Sequence, residues 1–298
     1  MTIPLAAEKI GQIGPLPITN TLIVSWIIVA FLCIIGYLSG KKAKMVPRGL
    51  QNIVEAILEP LYTITEDLAH SKTAVFFPIV ATFFIYILAA NIFGLLPGFG
   101  TIGFYEKRIE APVTEHIKPV AKQETPSLDV HEEAGKSGEA AKTPEVEQPT
   151  APQELQPKAL VHKEEVEFIP IFRSLNADLN MTLGLGFLSI LITHIFAIRY
   201  LGVGGYLRKW FSFNPIFLFV GLLELVGEFT KMVSLSLRLF GNIFAGEVVL
   251  TTVSNLLAFV APLPFYFLEM IVAVVQAAVF MLLTLVFMVL LSEKHAEH

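Results

Sequence analysis

Hydrophobic and polar positions follow two different periods along this chain. Charge-free runs cover residues 10–40, 73–105, 179–198, 248–268 and 270–292, and a bilayer-spanning helix needs about 20 apolar residues. The pattern predicts spanning helices over Leu22–Leu38, Ala74 to about Pro97 and Asp178 to about Tyr200, then a long helical hairpin over 215–292. Between the first two spans the period changes. Leu50, Ile53, Val54, Ile57, Leu58, Leu61 and Ile64 recur at three and four residues, while Gln51, Glu55, Glu59, Glu66 and Asp67 fall between them. A helix with one apolar stripe lies in the membrane interface, so 47–70 is predicted to be an amphipathic interfacial helix. Within the hairpin, Pro262-Leu263-Pro264 is expected to form the reversing turn, with the last helix running from Phe265 to Leu291.

Composition supports the same class. Apolar residues make up 54% of the 298 and charged residues only 16%, against roughly 25% charged in soluble domains. The chain reads as an all-α polytopic membrane protein. Its net charge of −5 belongs to one segment, because residues 106–167 hold 14 acids, 8 Lys or Arg and seven prolines. Such a segment buries too little apolar surface to offset its ordering entropy and is expected to be a disordered outward loop. Three parts result: 1–105, with the first span, the interfacial helix and the second span; the 106–167 loop; and 168–298, with the third span and the hairpin. Cys33 stands alone inside an apolar run and there is no basic patch, which excludes a disulfide scaffold and a nucleic-acid binder. The pattern calls for no metal and no cofactor.

Flanking charges orient the spans. Glu8 and Lys9 precede the first one, whereas Lys41, Lys42, Lys44 and Arg48 follow it, and Arg199, Arg208 and Lys209 follow the third. Positive charge stays cytoplasmic, so the N-terminus is expected outside and the Ser-Glu-Lys-His tail inside. No small-residue cleavage site follows the first run, and it reads as a retained helix rather than a signal peptide.

The candidate chemistry sits in the hairpin. The helix over 215–255 carries Glu224, Glu228, Lys231, Arg238 and Glu247, and each such group costs about 2.5–3.5 kcal/mol at the bilayer centre. On a helical wheel Glu224, Glu228, Lys231, Leu235, Arg238 and Asn242 form one stripe, and Glu247 lies half a turn round from Arg238. Arg238 either snorkels to the interface or pairs with a Glu, or it serves as a fixed charge, which Arg suits because it does not deprotonate. Its neighbours Ser234, Ser236, Gly241 and Ala245 let another helix approach closely. Glu247 and Glu269 are either a buried hydrogen-bonded acid pair or two stations of a proton path, since a carboxyl in hydrocarbon can take up a proton at neutral pH. Gln276 shares the face of Glu269, two turns on. Asn91 and Gly94 lie near the outer end of the second span. His194 reads as a satisfied interior or interface residue, and Asp178 either caps its helix or lines a channel mouth.

Ser234–Glu247, SLSLRLFGNIFAGE, and Gln276–Leu285, QAAVFMLLTL, resemble the two signature blocks of the subunit a family of the F-type ATP synthase. The order of spans is similar as well, so the resemblance covers everything outside the 106–167 loop. It implies a proton-translocating stator subunit, not an enzyme on its own, whose C-terminal hairpin packs against a rotor ring of c subunits bearing membrane-buried carboxylates. The other implied partners are the peripheral-stalk b subunits, the remainder of the synthase and the lipid bilayer, in a bacterial cytoplasmic (inner) membrane. Protons would load onto the ring by an outer half-channel and leave by an inner one. Carried over by position, Arg238 is the charge barrier between them, and Glu247, Glu269 and Gln276 lie on the outer path. Asn242 matches the Asn near the arginine, and Glu224 and Lys231 match polar positions toward the exit. Two departures stand out: members often pair a Glu with a His where this chain has Glu247 and Glu269, and some carry an acid at Gly94. Here Asn91 and Asp178 would supply polarity at the outer mouth. Nucleotide chemistry would occur elsewhere, as the chain has no Gly-x-x-x-x-Gly-Lys-Ser/Thr phosphate loop. An ion-coupled secondary transporter is the alternative, although such proteins usually show internal repeats and no second copy of the charged helix is present.

Overall fold

The computed structural model describes residues 7–14, 16–41, 44–96, 102–109, 164–210, 215–256 and 260–293. Most of the 106–167 loop lies outside them. The chain forms two units, one of residues 1–104 and 168–298 and the other of 105–167. In the first, a hairpin of β1 (Lys9–Ile13) and β2 (Leu16–Thr19) leads into six helices: α1 (Asn20–Gly40), α2 (Leu50–Ala69), α3 (Thr73–Gly94), α4 (Leu179–Trp210), α5 (Pro215–Leu256) and α6 (Pro262–Ser292). Strands β3 (Gly103–Ile109) and β4 (Glu164–Pro170) pair and run into the two ends of the loop, so its described residues, 106–109 and 164–167, are strand where disorder is expected. Asn20–Gly40, Leu50–Gly94, Leu179–Arg208 and Pro262–Ser292 are long and apolar enough to cross a membrane. The chain is an integral membrane protein of all-α class.

Local chemistry sets the helix ends. The Thr19 hydroxyl accepts a hydrogen bond from the Leu22 N–H at 3.3 Å, an N-cap for α1. α2 begins after Gly49 and stops at His70, both in the left-handed region (φ 64° and 48°), and the Thr73 hydroxyl fastens that turn by donating to the His70 carbonyl at 2.7 Å. The stretch Pro262–Pro264 is not a turn: α6 starts at Pro262. Proline fits the first helical turn because its missing N–H would have no partner there. The third span also runs further than its apolar pattern indicates, to Trp210. It breaks at Gly202 (φ 75°), a conformation that favours glycine, and continues beyond it.

Helices α3, α5 and α6 share one core, built from Phe76, Val80 and Ile87, Leu235 and Leu239, and Phe280 and Leu285, all buried. A smaller cluster of Val24, Ile28, Ala90 and Leu175 seats α1 against α3. Hydroxyl pairs tie the spans laterally: Ser25 to Tyr86 at 2.9 Å between α1 and α3, and Ser189 to Thr284 at 2.8 Å between α4 and α6. Lys72 donates to the Ser292 carbonyl at 3.1 Å and lies over the Tyr200 ring, so the α2–α3 turn meets the C-terminal end of α6.

Two glycines govern how closely α4 and α5 approach. A Cβ on Gly186 would fall on the Ser236 hydroxyl and 3.1 Å from the Met232 carbonyl, and one on Gly221 would strike the Trp210 carbonyl. Ser236 can rotate away, but the Trp210 backbone cannot. Gly221→Ala is therefore expected to lose about 1–3 kcal/mol through overpacking, read as faster thermal inactivation of the assembled protein in detergent, while Gly227→Ala, which meets open space, leaves the rate unchanged.

Candidate functional site

The charged stripe of α5 does not face one environment. Glu228 and Arg238 are ten residues apart, hence about 80° apart round the helix, and that arc straddles the boundary of the packed face. Glu228 and Leu235, toward one edge, are buried at 3% and 1% exposure, whereas Arg238 at the other edge is exposed. Arg238 makes no ion pair or hydrogen bond with any described residue. It opens onto a groove of about 450 Å³ lined by Gly227, Lys231, Ser234, Leu283 and Phe287. Lys231 donates to Glu228 Oε1 at 2.7 Å and sits 5.0 Å from the centre of the Phe287 ring. Glu224, one turn earlier, is half-buried.

Further along α5 from Arg238, polar groups converge toward the Asp178 end of the bundle. The Glu269 carboxyl packs where a Cβ on Gly246 would stand, so α6 delivers this acid to the residue beside Glu247. Only a glycine leaves that space, which gives the Ala-Gly-Glu of the motif a steric reason. Asn242 Nδ2 donates to Gln276 Oε1 at 2.7 Å, joining α5 and α6 one turn nearer Arg238. Asn91 Nδ2 donates at 3.4 Å to the carbonyl of Ala273, which lies between Glu269 and Gln276 on α6, and its Oδ1 accepts from Asn176 Nδ2 at 2.6 Å. Buried oxygens and nitrogens remain without hydrogen bonds among the described residues at Glu247 Oε2 and Gln276 Nε2.

Asp178 takes the capping role. One carboxylate oxygen accepts the Asn180 N–H at 3.0 Å as an N-cap, and the other accepts the Thr21 hydroxyl at 3.0 Å, tying α4 to α1. His194 is partly buried and pairs with the Tyr206 hydroxyl at 3.1 Å.

Four residues of this region escape a reading of the sequence alone. Asn20, Thr21 and Asn176 are fully buried, yet each sits next to a span end, where polar residues are ordinary. Arg173, 3% exposed, donates to the Ala177 carbonyl at 3.3 Å and lies within electrostatic reach of Glu247. Its only sequence signal is an arginine on the wrong side of a span for the positive-inside pattern. No three His, Cys, Asp or Glu among the described residues could hold a metal ion together.

A helical membrane bundle with an arginine on an open groove, unpaired among the described residues, and a half-buried Glu247 half a turn round the same helix, next to Glu269 of α6, has the features of an ion-translocating membrane subunit. Comparison with known proteins makes the class particular. The model of the family described as "ATP synthase A chain" matches residues 22–289, and the chain belongs to that family. It is similar to the ATP synthase subunit a of Moorella thermoacetica, 29% identical over 94% of this chain and 93% of that one. It also resembles the ATP synthase subunit a 2 of Syntrophotalea carbinolica (27%, covering 97% and 92%) and the subunit a of Geobacter sulfurreducens (26%, covering 88% and 83%). The chain is thus the proton-translocating stator subunit of an ATP synthase, with its role in the membrane and not in nucleotide chemistry.

Proposed function

We propose that the two sides of α5 are the two half-channels of this subunit and that Arg238 is the barrier between them. The observation that carries this reading is the position of Arg238: exposed on the groove, without a described partner, and half a turn from Glu247. The groove face meets a rotor ring of c subunits, each bringing a carboxylate that the guanidinium draws into its ionised form. An ionised carboxylate enters the low-dielectric lipid zone only once protonated, so the ring advances only after loading. Each proton crossing contributes about 2.3 kcal/mol per 100 mV.

Protons arrive at the outer mouth, formed by Asp178 and Asn91, pass Glu269 and Glu247, and reach the ring near Gln276 and Asn242. They leave along the groove past Lys231 and Glu224. In this reading residues 168–298 are the channel core, the N-terminus is outside and the C-terminus cytoplasmic in a bacterial inner membrane, and the peripheral-stalk b subunits hold the subunit against rotation. Support comes from the family membership, the hydrogen bonds that link α3, α5 and α6, and the basic residues flanking the first and third spans.

Reconstitution tests it. Liposomes holding this subunit with c-ring and b subunits are expected to conduct protons under an imposed potential, whereas liposomes with this subunit alone are not. Equal conduction by the lone subunit would refute the stator mechanism in favour of a self-contained transporter.

A further inference from the structure

We propose that Glu228, together with Tyr206 and His194, forms a proton-relay station on the inner side of the membrane, branching from the groove of Lys231 and Arg238. This rests on the half-channel reading above. Glu228 is 3% exposed and only one of its oxygens is engaged, Oε1 by the Lys231 ammonium at 2.7 Å. Oε2 is buried and has no hydrogen-bond partner among the described residues. A pair kept for stability alone gains from satisfying every lone pair, because a buried ion pair otherwise fails to repay its desolvation. A carboxylate held by one oxygen with the other left open is instead set up to take a proton.

The register of α4 against α5 supplies the next groups. These helices run antiparallel and meet at Gly186 and Ser236. Eight residues along α4 from Gly186 is His194, and eight residues back along α5 from Ser236 is Glu228, so a common rise of about 1.5 Å per residue brings the two to one level. The break at Gly202 does the rest. Tyr206 lies 12 residues after His194, which a straight helix would separate by about 18 Å, yet its hydroxyl is 3.1 Å from His194 Nδ1. The chain has folded back, and the Trp210 ring closes over both at centroid distances of 6.0 and 6.2 Å. The same fold-back brings Tyr206 within electrostatic reach of Glu228. Among the described residues, Tyr206 from α4 and Lys231 from its own helix interact with Glu228; His194 stands at the same level of α4, Arg208 follows Tyr206 on it, and Glu224 is one turn back on α5. From α6 comes the Phe287 ring beneath Lys231.

The relay conserves protons at each step. A ring carboxylic acid in the groove becomes a carboxylate as Glu228 Oε2 gains an O–H bond, and Lys231 keeps its proton throughout. Glu228 then gives that proton to the Tyr206 hydroxyl oxygen while the hydroxyl passes its own to His194 Nδ1. His194 releases a proton to water on the inner side, and all three groups return to their starting states.

The test uses the complete synthase in liposomes, with assembly checked by subunit stoichiometry and proton conduction followed at fixed outer pH and varied inner pH. Glu228→Gln keeps the shape and the hydrogen bond to Lys231 but exchanges no proton, and conduction is expected to fall about tenfold, less than the roughly 100- to 10,000-fold that a positioned proton-transfer group typically contributes, because the groove past Lys231 remains as a parallel exit. Glu228→Asp should retain at least about half the rate. Tyr206→Phe and His194→Gln should each reduce conduction and flatten its dependence on inner pH, with the dependence on outer pH unchanged; a merely structural role would alter neither profile. If Glu228→Gln does not assemble, this second pair decides alone. Conduction within twofold of the parent and an unaltered inner-pH profile in these variants would overturn the proposal. Arg238→Lys in the same liposomes separates the two readings: if it abolishes coupling while Glu228→Gln is silent, the relay is wrong and the half-channels stand.

Discussion

Arg238→Lys is expected to reduce proton-driven ATP synthesis to background in a complex that still assembles. The guanidinium keeps its charge in any protein environment, whereas a desolvated lysine can lose its proton and lacks the planar fork that meets a carboxylate with two hydrogen bonds. Assembly should survive because Arg238 lies at the exposed edge of α5 and makes no ion pair or hydrogen bond with any described residue. The groove also has room for the ammonium beside Lys231, Ser234 and Phe287. Synthesis by inverted vesicles, with subunit stoichiometry measured on the same preparation, checks this. Retention of half the parental rate would remove Arg238 as the barrier.

The second large effect is expected at the acids across the helix. Glu247→Gln and Glu269→Gln should each slow proton uptake from the outer side by about tenfold or more, since an amide preserves volume and hydrogen bonding but carries no exchangeable acid proton. Glu269→His should be milder, because imidazole also exchanges a proton near neutral pH. Gly246→Ala offers an independent check that leaves both acids in place. Its methyl group would occupy the space of the Glu269 carboxyl, and that flexible side chain can swing aside, so folding should hold while uptake slows. Proton uptake into liposomes holding the complete complex, measured over a range of outer pH, distinguishes these results. Normal rates in both Gln variants at every pH would move the path to Asn91 and Asp178.

Much of this site is legible in the amino-acid order because it depends on local spacing. Charge-free runs give the spans, the three-and-four recurrence of Leu50 to Ile64 gives an amphipathic α2, and the spacing from Glu224 to Asn242 gives a stripe with Glu247 opposite Arg238. Each follows from the fixed rise and turn of an α-helix. Glu269 and Gln276 share a face for the same reason, two turns apart on α6.

Tertiary structure decided what those faces meet. Helix geometry places Glu228 and Arg238 on one arc, but only the packing of α4 and α6 against α5 buries the first and exposes the second. Asn91 meets Asn176 across 85 residues, and Thr21 meets Asp178 across 157; polar residues at span ends are ordinary in sequence and become a joined network only when the ends coincide. Gly202 folds Tyr206 back on His194, beyond Tyr200, where the apolar pattern had ended the span. Pro262 opens α6, where a proline pair suggested a turn, because the first turn of a helix tolerates what its interior does not. Periodicity is a property of one helix and can be read along it, whereas burial and partnership belong to neighbours far away in the chain and exist only once the helices have packed.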